Sequence, residues 1–171
     1  MKRLTAFALC FFAFSTSVAV GQVLRPEVCD TLAPLDPMPQ GVARLVTDDG
    51  NVREFSVEFA ITPATWQRGL MCREEMAADA GMLFLFPDVR PHSFWMRNTL
   101  ISLDIIYIGQ DCRVLNVAAN AVPLDETSLP SKGPARAVLE INGGLSSLLS
   151  IEPGSLLQVP GIPIELCGVP D

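Results

Sequence analysis

Short apolar segments separated by turn residues dominate the chain from Val42 onward, and this pattern constrains the fold more than any other feature. "VARLVT" and "VREFSVEFAI" flank the turn "DDGN", which is a hairpin signature. "GMLFLF", "HSFWMR", "LDIIYI" and "RVLNVAA" follow at the close spacing of an all-β protein, with "GQDC" as a further hairpin turn. "ARAVLEI", "LLQVP" and "IELC" complete the series. We predict a mainly β fold, a single compact antiparallel β-sandwich or barrel-like domain.

Two segments depart from this pattern and predict two short helices. In "TPATWQRGL", Thr62 is a suitable N-cap, Pro63 suits the first helical position and Gly69 suits a left-handed exit. Asn142 is a candidate cap for a second short helix that ends near Leu149.

The chain divides into three parts. Residues 1–21 place Lys2 and Arg3 before an apolar run that ends in small residues, which is typical of a secretory signal peptide. A retained membrane anchor is the alternative, although the run is barely long enough to span a bilayer. Residues 22–40 contain four prolines and predict an extended N-terminal arm. Residues 41–171 then form the single β-rich domain, for which 49% hydrophobic residues supply one core.

Export predicts a periplasmic or secreted protein in which disulfides form. The exported part keeps Cys29, Cys72, Cys112 and Cys167, an even number that allows three connectivities. Cys29 and Cys167 lie near opposite ends and are one candidate pair. No CxxC spacing occurs, which argues against a thioredoxin-like motif or a zinc ribbon.

The charge of the chain bears on its partners. Loss of Lys2 and Arg3 leaves ten of the 12 basic residues against 19 acidic ones, a formal charge of −9. Nucleic acid is therefore a poor partner, since phosphate binding needs clustered Lys and Arg. We expect a small ligand or a periplasmic protein instead, with no membrane span after cleavage and no nucleotide motif.

Polar residues interrupt the apolar stretch "HSFWMRNTLISLDIIYI", from His92 to Ile108. Arg97 and Asp104 would meet across adjacent strands if the segment reverses direction between them. Such a pair would either orient a ligand in a cleft or hold the register of the sheet, and the second interpretation is favoured. Asn98 and Thr99 are expected to satisfy backbone groups of the turn.

The candidate chemistry is sparse, and we assign no catalytic residue and no cofactor. His92 is the single histidine, and no "GxSxG" elbow or cysteine-protease signature accompanies it. Met71, Met82 and Met96 together with His92 are soft ligands that would suit Cu(I), although methionine more often fills core gaps. Trp66 and Trp95 would form an aromatic binding wall or simply core.

Four motifs in order carry a resemblance to a known family: "RGLMCRE", "GMLFLF", "FWMRNTLISLDIIYI" and "NAVPLDETSLPSKGPARAVLEINGG". Over about Val42 to Val159 the chain resembles the bacterial and archaeal domain-of-unknown-function family 192. The resemblance implies a compact β-rich domain, often exported or membrane-anchored, without an established activity. Its characteristic positions fall on Arg68, Gly69, Leu70, Met71, Gly81, Met82, Phe94, Trp95, Met96, Asn98, Thr99, Asp104, Asp125, Glu126 and Gly143.

Two cysteines depart from the family pattern. Cys72 stands where similar proteins commonly have a larger residue such as phenylalanine, and Cys112 stands in a turn where glycine is usual. These departures favour a Cys72–Cys112 disulfide and argue against a cysteine catalyst shared by the family.

The Pro-rich loop Asn120 to Pro134 is expected to lie over the same end of the sheet, where Arg68 or Arg97 would meet its carboxylates and close a cleft. The candidate cleft comprises Arg68, Trp95, Arg97, Asn98, Asp104, Asp125 and Glu126. The leading hypothesis is a non-catalytic periplasmic binding or accessory module. The alternatives are a hydrolase-like enzyme using Asp104, Asp125 or Glu126 beside Arg97, and a copper-binding protein. A carboxyl group with a pKa near neutral in a pocket would favour the enzyme, and converging sulfur atoms would favour the metal.

Overall fold

The computed structural model describes residues 25–161. The predicted signal peptide, the strand "IELC" and Cys167 lie outside the described residues. Nine strands and three short helices occur in the described range: α1 (Val28–Thr31), β1 (Gln40–Val46), β2 (Val52–Ala60), α2 (Pro63–Arg68), β3 (Ala80–Arg90), β4 (Ser93–Phe94), β5 (Leu103–Ile108), β6 (Val114–Ala121), β7 (Leu129–Pro130), β8 (Ala135–Asn142), α3 (Leu145–Leu148) and β9 (Leu156–Gln158). No helix between residues 25 and 161 is long and apolar enough to cross a membrane.

Seven strands form one sheet in the order β6-β5-β8-β3-β2-β1-β9, and β4 pairs with β7 separately. β1 and β2 form the predicted hairpin, with Val46 opposite Val52. The sheet is mixed, because β2 and β3 are parallel while the other pairs are antiparallel. The all-antiparallel prediction was therefore wrong at this pair. Helix α2 lies between β2 and β3 in the chain, and such a crossover returns the second strand in the same direction.

The sheet curls into a half-barrel, so the sandwich alternative is not confirmed. At one end its two edge strands approach each other through a bridge between Arg113 and Leu156. Leu157 also donates its backbone N–H to the carbonyl of Cys112 at 2.8 Å. These bonds occupy backbone groups that an open sheet edge would leave unpaired.

Both faces of the central strands are buried, which explains why "GMLFLF" and "LDIIYI" are continuous rather than alternating apolar runs. One core cluster takes side chains from all seven strands of the sheet, including Leu45, Leu83 and Leu139. The second cluster lies on the opposite face of β3, β5 and β8, around Met82, Phe84, Tyr107 and others. This second face carries the candidate site.

Asp104 fixes the start of α3, and this differs from two predictions. Its carboxylate accepts the backbone N–H groups of Asn120 (2.7 Å), Gly144 (2.9 Å) and Ser146 (2.7 Å). It does not meet Arg97, so the predicted pair was wrong. Asn142 does not cap the helix either, because its amide donates to the carbonyls of residues 76 and 77 at 3.0 and 2.9 Å.

The N-terminal arm folds back instead of staying extended. Helix α1 forms one turn within it, which makes a third helix beyond the two predicted. Cys29 forms a disulfide with Cys72, at a Cα–Cα distance of 5.4 Å. Both predicted pairings, Cys29–Cys167 and Cys72–Cys112, were therefore wrong, because the returning arm brings Cys29 beside the turn that follows α2. Cys112 is also disulfide-bonded.

Candidate functional site

A cavity of about 340 Å³ opens on the second face of the sheet. Its floor comes from β3 and β8, and its walls come from α2, the turn after α2, and the segment that contains β4. Most of the lining side chains are apolar or aromatic. The lining residues are Trp66, Gln67, Arg68, Gly69, Leu70, Met71, Phe84, Phe86, His92, Ser93, Phe94, Trp95, Thr99 and Glu140.

Glu140 is the polar centre of this cavity. It lies on β8 between Met82 of β3 and Ile105 of β5, and it is only 4% exposed. Its carboxyl group forms no hydrogen bond or ion pair among residues 25–161. Burial raises the pKa of Glu140 to about 8, because the apolar surroundings disfavour the charged form. Glu140 is therefore mostly protonated at neutral pH.

His92 is a second polar group without a partner. Its ring stacks on Phe86 at a centroid distance of 3.8 Å, and the side chain is 8% exposed. The Nε2 atom is buried and has no hydrogen-bond partner in the described part of the chain. Burial, and to a smaller extent Arg90, lowers the pKa of His92 below its ordinary value, while Asp88 opposes this. The ring is therefore neutral at physiological pH.

Aromatic rings surround these two groups. Trp66 and Phe86 lie 5.4 Å apart between centroids, and Phe84 meets Phe94 edge to face at 5.0 Å. The indole N–H of Trp66 donates to the carbonyl of Ala60 at 2.8 Å, which fixes that ring. These contacts give the cavity firm walls before any ligand enters.

The end of α2 shapes one wall. Gly69 ends the helix with a φ of +47°, and a Cβ added there would lie 3.4 Å from the Phe84 ring. The positive φ favours glycine, as the sequence predicted, although the ψ of −137° lies outside the left-handed helical conformation expected for this exit. Just before it, the Arg68 guanidinium donates to the carbonyl of Ala33 in the N-terminal arm. The arm therefore holds the guanidinium of Arg68 at the rim of the cavity.

The structure divides the seven predicted cleft residues between four places. Arg68 and Trp95 line the cavity with Glu140. Arg97 and Asn98 line an adjacent groove that shares Arg68, Met71 and Trp95 with it. Asp104 lines neither space, since it is fully buried by its three backbone donors.

Asp125 and Glu126 also lie away from the cavity lining. Their loop does run beside the predicted segment, since Met96 donates its backbone N–H to the carbonyl of Asp125 at 2.8 Å. Glu126 lies 4.0 Å from Arg97, and both side chains are more than half exposed. The hydrogen bonds from Thr127 lower the pKa of the exposed Asp125 carboxyl. Asp125 therefore stabilises its own loop through the backbone N–H of Thr127, and Glu126 forms an exposed ion pair with Arg97.

The soft-metal set is dispersed. Met82 and Met96 are core residues, with 0% and 1% exposure, whereas Met71 and His92 line the cavity. Met71 sulfur instead lies 3.9 Å from the side-chain nitrogen of Asn98. Within residues 25–161, no three His, Cys, Asp or Glu side chains converge in an arrangement that would hold a metal ion.

Glu140 is the site residue that the sequence analysis missed. The available signal was an acidic residue inside the apolar run "ARAVLEI". In a strand that is buried on both faces, such a residue has no solvent side to face, so it must be paired, neutral or open to a cavity. The sequence does not show that β8 is central, and "ARAVLEI" was read only as a strand.

Comparison with known proteins agrees with the resemblance. The family model for domain-of-unknown-function family 192, described as "Uncharacterized ACR", matches residues 44–159. This chain belongs to that family. Several of the positions to which the resemblance pointed line the cavity, namely Arg68, Gly69, Leu70, Met71, Phe94, Trp95 and Thr99. No match was found among the curated proteins.

Two solved structures are similar to this chain and extend the family assignment to the fold. One is a putative transcription regulator from Sinorhizobium meliloti 1021, at 36% identity and a TM-score of 0.72, covering 75% of this chain and 100% of that one. The other is a protein of unknown function from Novosphingobium aromaticivorans DSM 12444, at 47% identity and a TM-score of 0.68, covering 74% of this chain and 89% of that one.

Proposed function

We propose that this chain is an exported, non-catalytic binding module that takes a small molecule in the cavity around Glu140. The observation that carries the proposal is a buried carboxyl group that forms no hydrogen bond among residues 25–161 and opens into an aromatic cavity. Such cavities, mostly apolar with a few convergent polar groups, are the usual form of small-molecule sites.

A purely structural role does not account for Glu140. Burying a polar group without a partner costs roughly 1–3 kcal/mol, and an apolar residue of similar size would avoid that cost. Asp104 shows how the same fold treats a structural carboxylate, with three backbone donors on its oxygens. Glu140 and the Nε2 atom of His92, on two residues that line the cavity, instead have no hydrogen-bond partner in the described part of the chain.

The lining supports binding rather than catalysis, because among the residues from 25 to 161 that line the cavity no nucleophile is paired with a base. The Ser93 hydroxyl is 2.6 Å from that of Ser128, and the Thr99 hydroxyl donates to the carbonyl of Arg97 at 3.4 Å. His92 forms no hydrogen bond with Glu140. The predicted acids Asp104, Asp125 and Glu126 do not reach the cavity.

Enzymatic activity is the second candidate, and one observation favours it. The pKa of Glu140, raised to about 8, lies in the range in which a carboxyl group can donate or accept a proton at neutral pH. A carboxyl group with a pKa near neutral in a pocket was expected to favour an enzyme. Glu140 is such a group, whereas Asp104, Asp125 and Glu126 do not line the pocket. A ligand that is released chemically changed would establish this candidate.

The rest of the chain supports export and bears on the class of partner. The N-terminal leader pattern and a disulfide between Cys29 and Cys72 support an oxidising destination. The name of the Sinorhizobium meliloti relative raises nucleic acid as a partner. The acidic balance of this chain, a formal net charge of −7, argues against that partner here.

The test is a ligand screen by protein-observed NMR on protein purified from an oxidising compartment. A mixture of small cationic, neutral and anionic aromatics is expected to shift the signals of Leu70, Met71 and Trp66. Gln67→Trp adds a bulky ring at a lining position of α2 and should abolish these shifts. Leu148→Trp, at an exposed position of α3 outside both the cavity and the adjacent groove, is the control. Shifts scattered over the surface, or equal in both variants, would contradict the binding site, and recovery of an altered ligand by mass spectrometry would favour the enzyme.

A further inference from the structure

The cavity combines two features that together select one sign of ligand charge. Its carboxyl group has no cationic partner, since the ion pairs between residues 25 and 161 join arginines to other acids. Its lining includes the rings of Trp66, Phe84, Phe86, Phe94 and Trp95, and the Arg97 guanidinium already lies 5.5 Å from the centroid of the last. Aromatic faces attract cations, and the attraction is strongest where the contact is desolvated.

The geometry points to a small organic ammonium ion as the ligand, with its N–H groups shared between Glu140 and His92 and its body packed against the aromatic walls. This inference rests on the proposed binding function and names its ligand class. A bound ammonium would supply the counter-charge that a buried carboxylate needs, and burial without one is costly. His92 also lines the cavity, and the partnerless Nε2 atom of its neutral ring would accept a second N–H once the bound ligand reaches it.

Other charged groups near the cavity do not reverse the preference for a cationic ligand. Among the described residues, Arg68 is the one cationic side chain in the lining, and its guanidinium donates to the carbonyl of Ala33 at the rim. Tyr107, on the strand next to Glu140, donates its hydroxyl to the carbonyl of Leu129 and stays neutral because burial raises its pKa. The acidic chain as a whole attracts cations at long range.

Binding of the ammonium involves a proton balance that can be measured. At pH 7 Glu140 carries a proton, so pairing with a cation releases about one proton to the buffer for each ligand bound. Affinity for the ammonium therefore rises as pH increases from 6 to 8, by up to about tenfold per pH unit. His92 contributes little to this change, because burial already holds its pKa below the ordinary value.

The experiment compares benzylamine, benzyl alcohol and benzoate, which share a ring and differ in charge, by calorimetry at pH 6, 7 and 8 in two buffers of different ionisation enthalpy. Benzylamine should bind at least tenfold more tightly than the other two at pH 8 and release about one proton at pH 7. Glu140→Gln keeps the shape of the side chain and should reduce the preference for benzylamine to less than threefold. Glu152→Gln, an exposed acid outside the cavity lining, should leave it unchanged.

The outcomes separate the two proposals. Benzyl alcohol or benzoate binding as tightly as benzylamine in this cavity would overturn the ammonium inference and leave the binding function standing. Benzylamine binding that Glu140→Gln does not weaken would overturn the inference as well. If none of the three probes binds and the wider ligand screen is also negative, both proposals fail.

Discussion

Two buried carboxyl groups, Asp104 and Glu140, lie on the neighbouring central strands β5 and β8 in opposite surroundings. The oxygens of Asp104 accept three backbone N–H groups, whereas those of Glu140 accept no hydrogen bond within residues 25–161. The two carboxyl groups also lie on opposite faces of the sheet. Glu140 is paired with Ile105, the residue after Asp104, and successive residues of a strand point to opposite faces. Asp104 stabilises the fold, and Glu140 faces the space available to a ligand.

Asp104→Asn should destabilise the protein strongly. The amide keeps one acceptor oxygen but replaces the other with an NH₂ group, which opposes a backbone donor. Hydrogen bonds to charged groups are worth about 1.5–3 kcal/mol each, so we expect a loss of roughly 2–4 kcal/mol in the free energy of unfolding. Urea unfolding measures this, with the exposed Asp111→Asn as control. Equal midpoints for the two variants would contradict the anchoring role of Asp104.

Glu140 makes stability depend on pH in an identifiable window. Its pKa in the folded protein is raised from 4.5 to about 8, so between these values the folded state holds a proton that the unfolded state releases. Stability therefore falls as pH rises through this window, by about 1.4 kcal/mol for each pH unit. Glu140→Gln should remove that slope, and Glu152→Gln should retain it. Urea unfolding at pH 5, 6, 7 and 8 checks this, and parallel slopes for wild type and Glu140→Gln would rule it out.

At the scale of elements, α2 is a short helix whose position depends on its first turn. The Thr62 hydroxyl accepts the backbone N–H of Thr65 at 3.2 Å, and the Thr65 side chain accepts the N–H of Thr62 at 2.9 Å. This reciprocal capping box satisfies two donors that a helix start leaves unpaired. It also orients Trp66, one turn later, toward the cavity wall.

Thr62→Ala should lower the free energy of unfolding by about 0.5–2 kcal/mol, because it removes the cap. We also expect the indole signal of Trp66 to broaden or shift, since its ring depends on the same turn. Ser147→Ala, an exposed serine of α3 without a side-chain hydrogen bond, is the control for the substitution itself. Thermal unfolding and NMR of the two variants make the comparison, and an unchanged melting temperature for Thr62→Ala would show that the cap is dispensable.

The elements that depend on local chemistry could be predicted from sequence. The β1–β2 hairpin and α2 follow from turn residues, a cap and alternating side chains, all within a few positions of each other. The segment "HSFWMR" was predicted as a strand, but only Ser93–Phe94 is one, because its pairing partner is the short strand β7 in the Pro-rich loop. Pairing between distant segments is not encoded in local patterns.

The candidate site was harder to predict for the same reason. Arg68 and Trp95 could be identified from sequence, because they lie in the motifs that carry the family resemblance. Both residues line the cavity. Glu140 was missed because its burial depends on the central position of β8, and only the full strand order shows that position. Asp104 was singled out from the sequence as a partner of Arg97, which Asp104 does not contact. Its real partners are backbone groups from distant segments, and side-chain identities do not indicate those.

At the scale of the whole molecule, one covalent bond ties the N-terminal arm to the wall of the site. Cys29 and Cys72 are 43 residues apart in sequence, and Cys72 directly follows the lining residue Met71. The arm then reaches Arg68 through the carbonyl of Ala33. The disulfide therefore links global stability to the geometry of the cavity.

Replacement of both cysteines by serine should cost about 2–4 kcal/mol in the free energy of unfolding, since a loop of this length is constrained by the bond in the unfolded state. The double variant avoids an unpaired thiol. Urea unfolding measures the loss, and peptide mapping without reductant should recover Cys29 linked to Cys72. A linkage of Cys29 to Cys167, or unchanged stability, would contradict the arrangement.

The central claim is that the buried carboxyl group of Glu140 has no partner among residues 25–161 and is free to bind a ligand, and ¹³C NMR of its side-chain carboxyl carbon tests this most directly. In the free protein we predict a titration midpoint of about 8, as burial dictates, and an ionised carboxylate at pH 7 once benzylamine saturates the cavity. The Glu140→Gln variant assigns the signal. A midpoint near the ordinary value of 4.5 in the free protein would show that water or another group already satisfies the carboxyl, and the account of the site would be wrong.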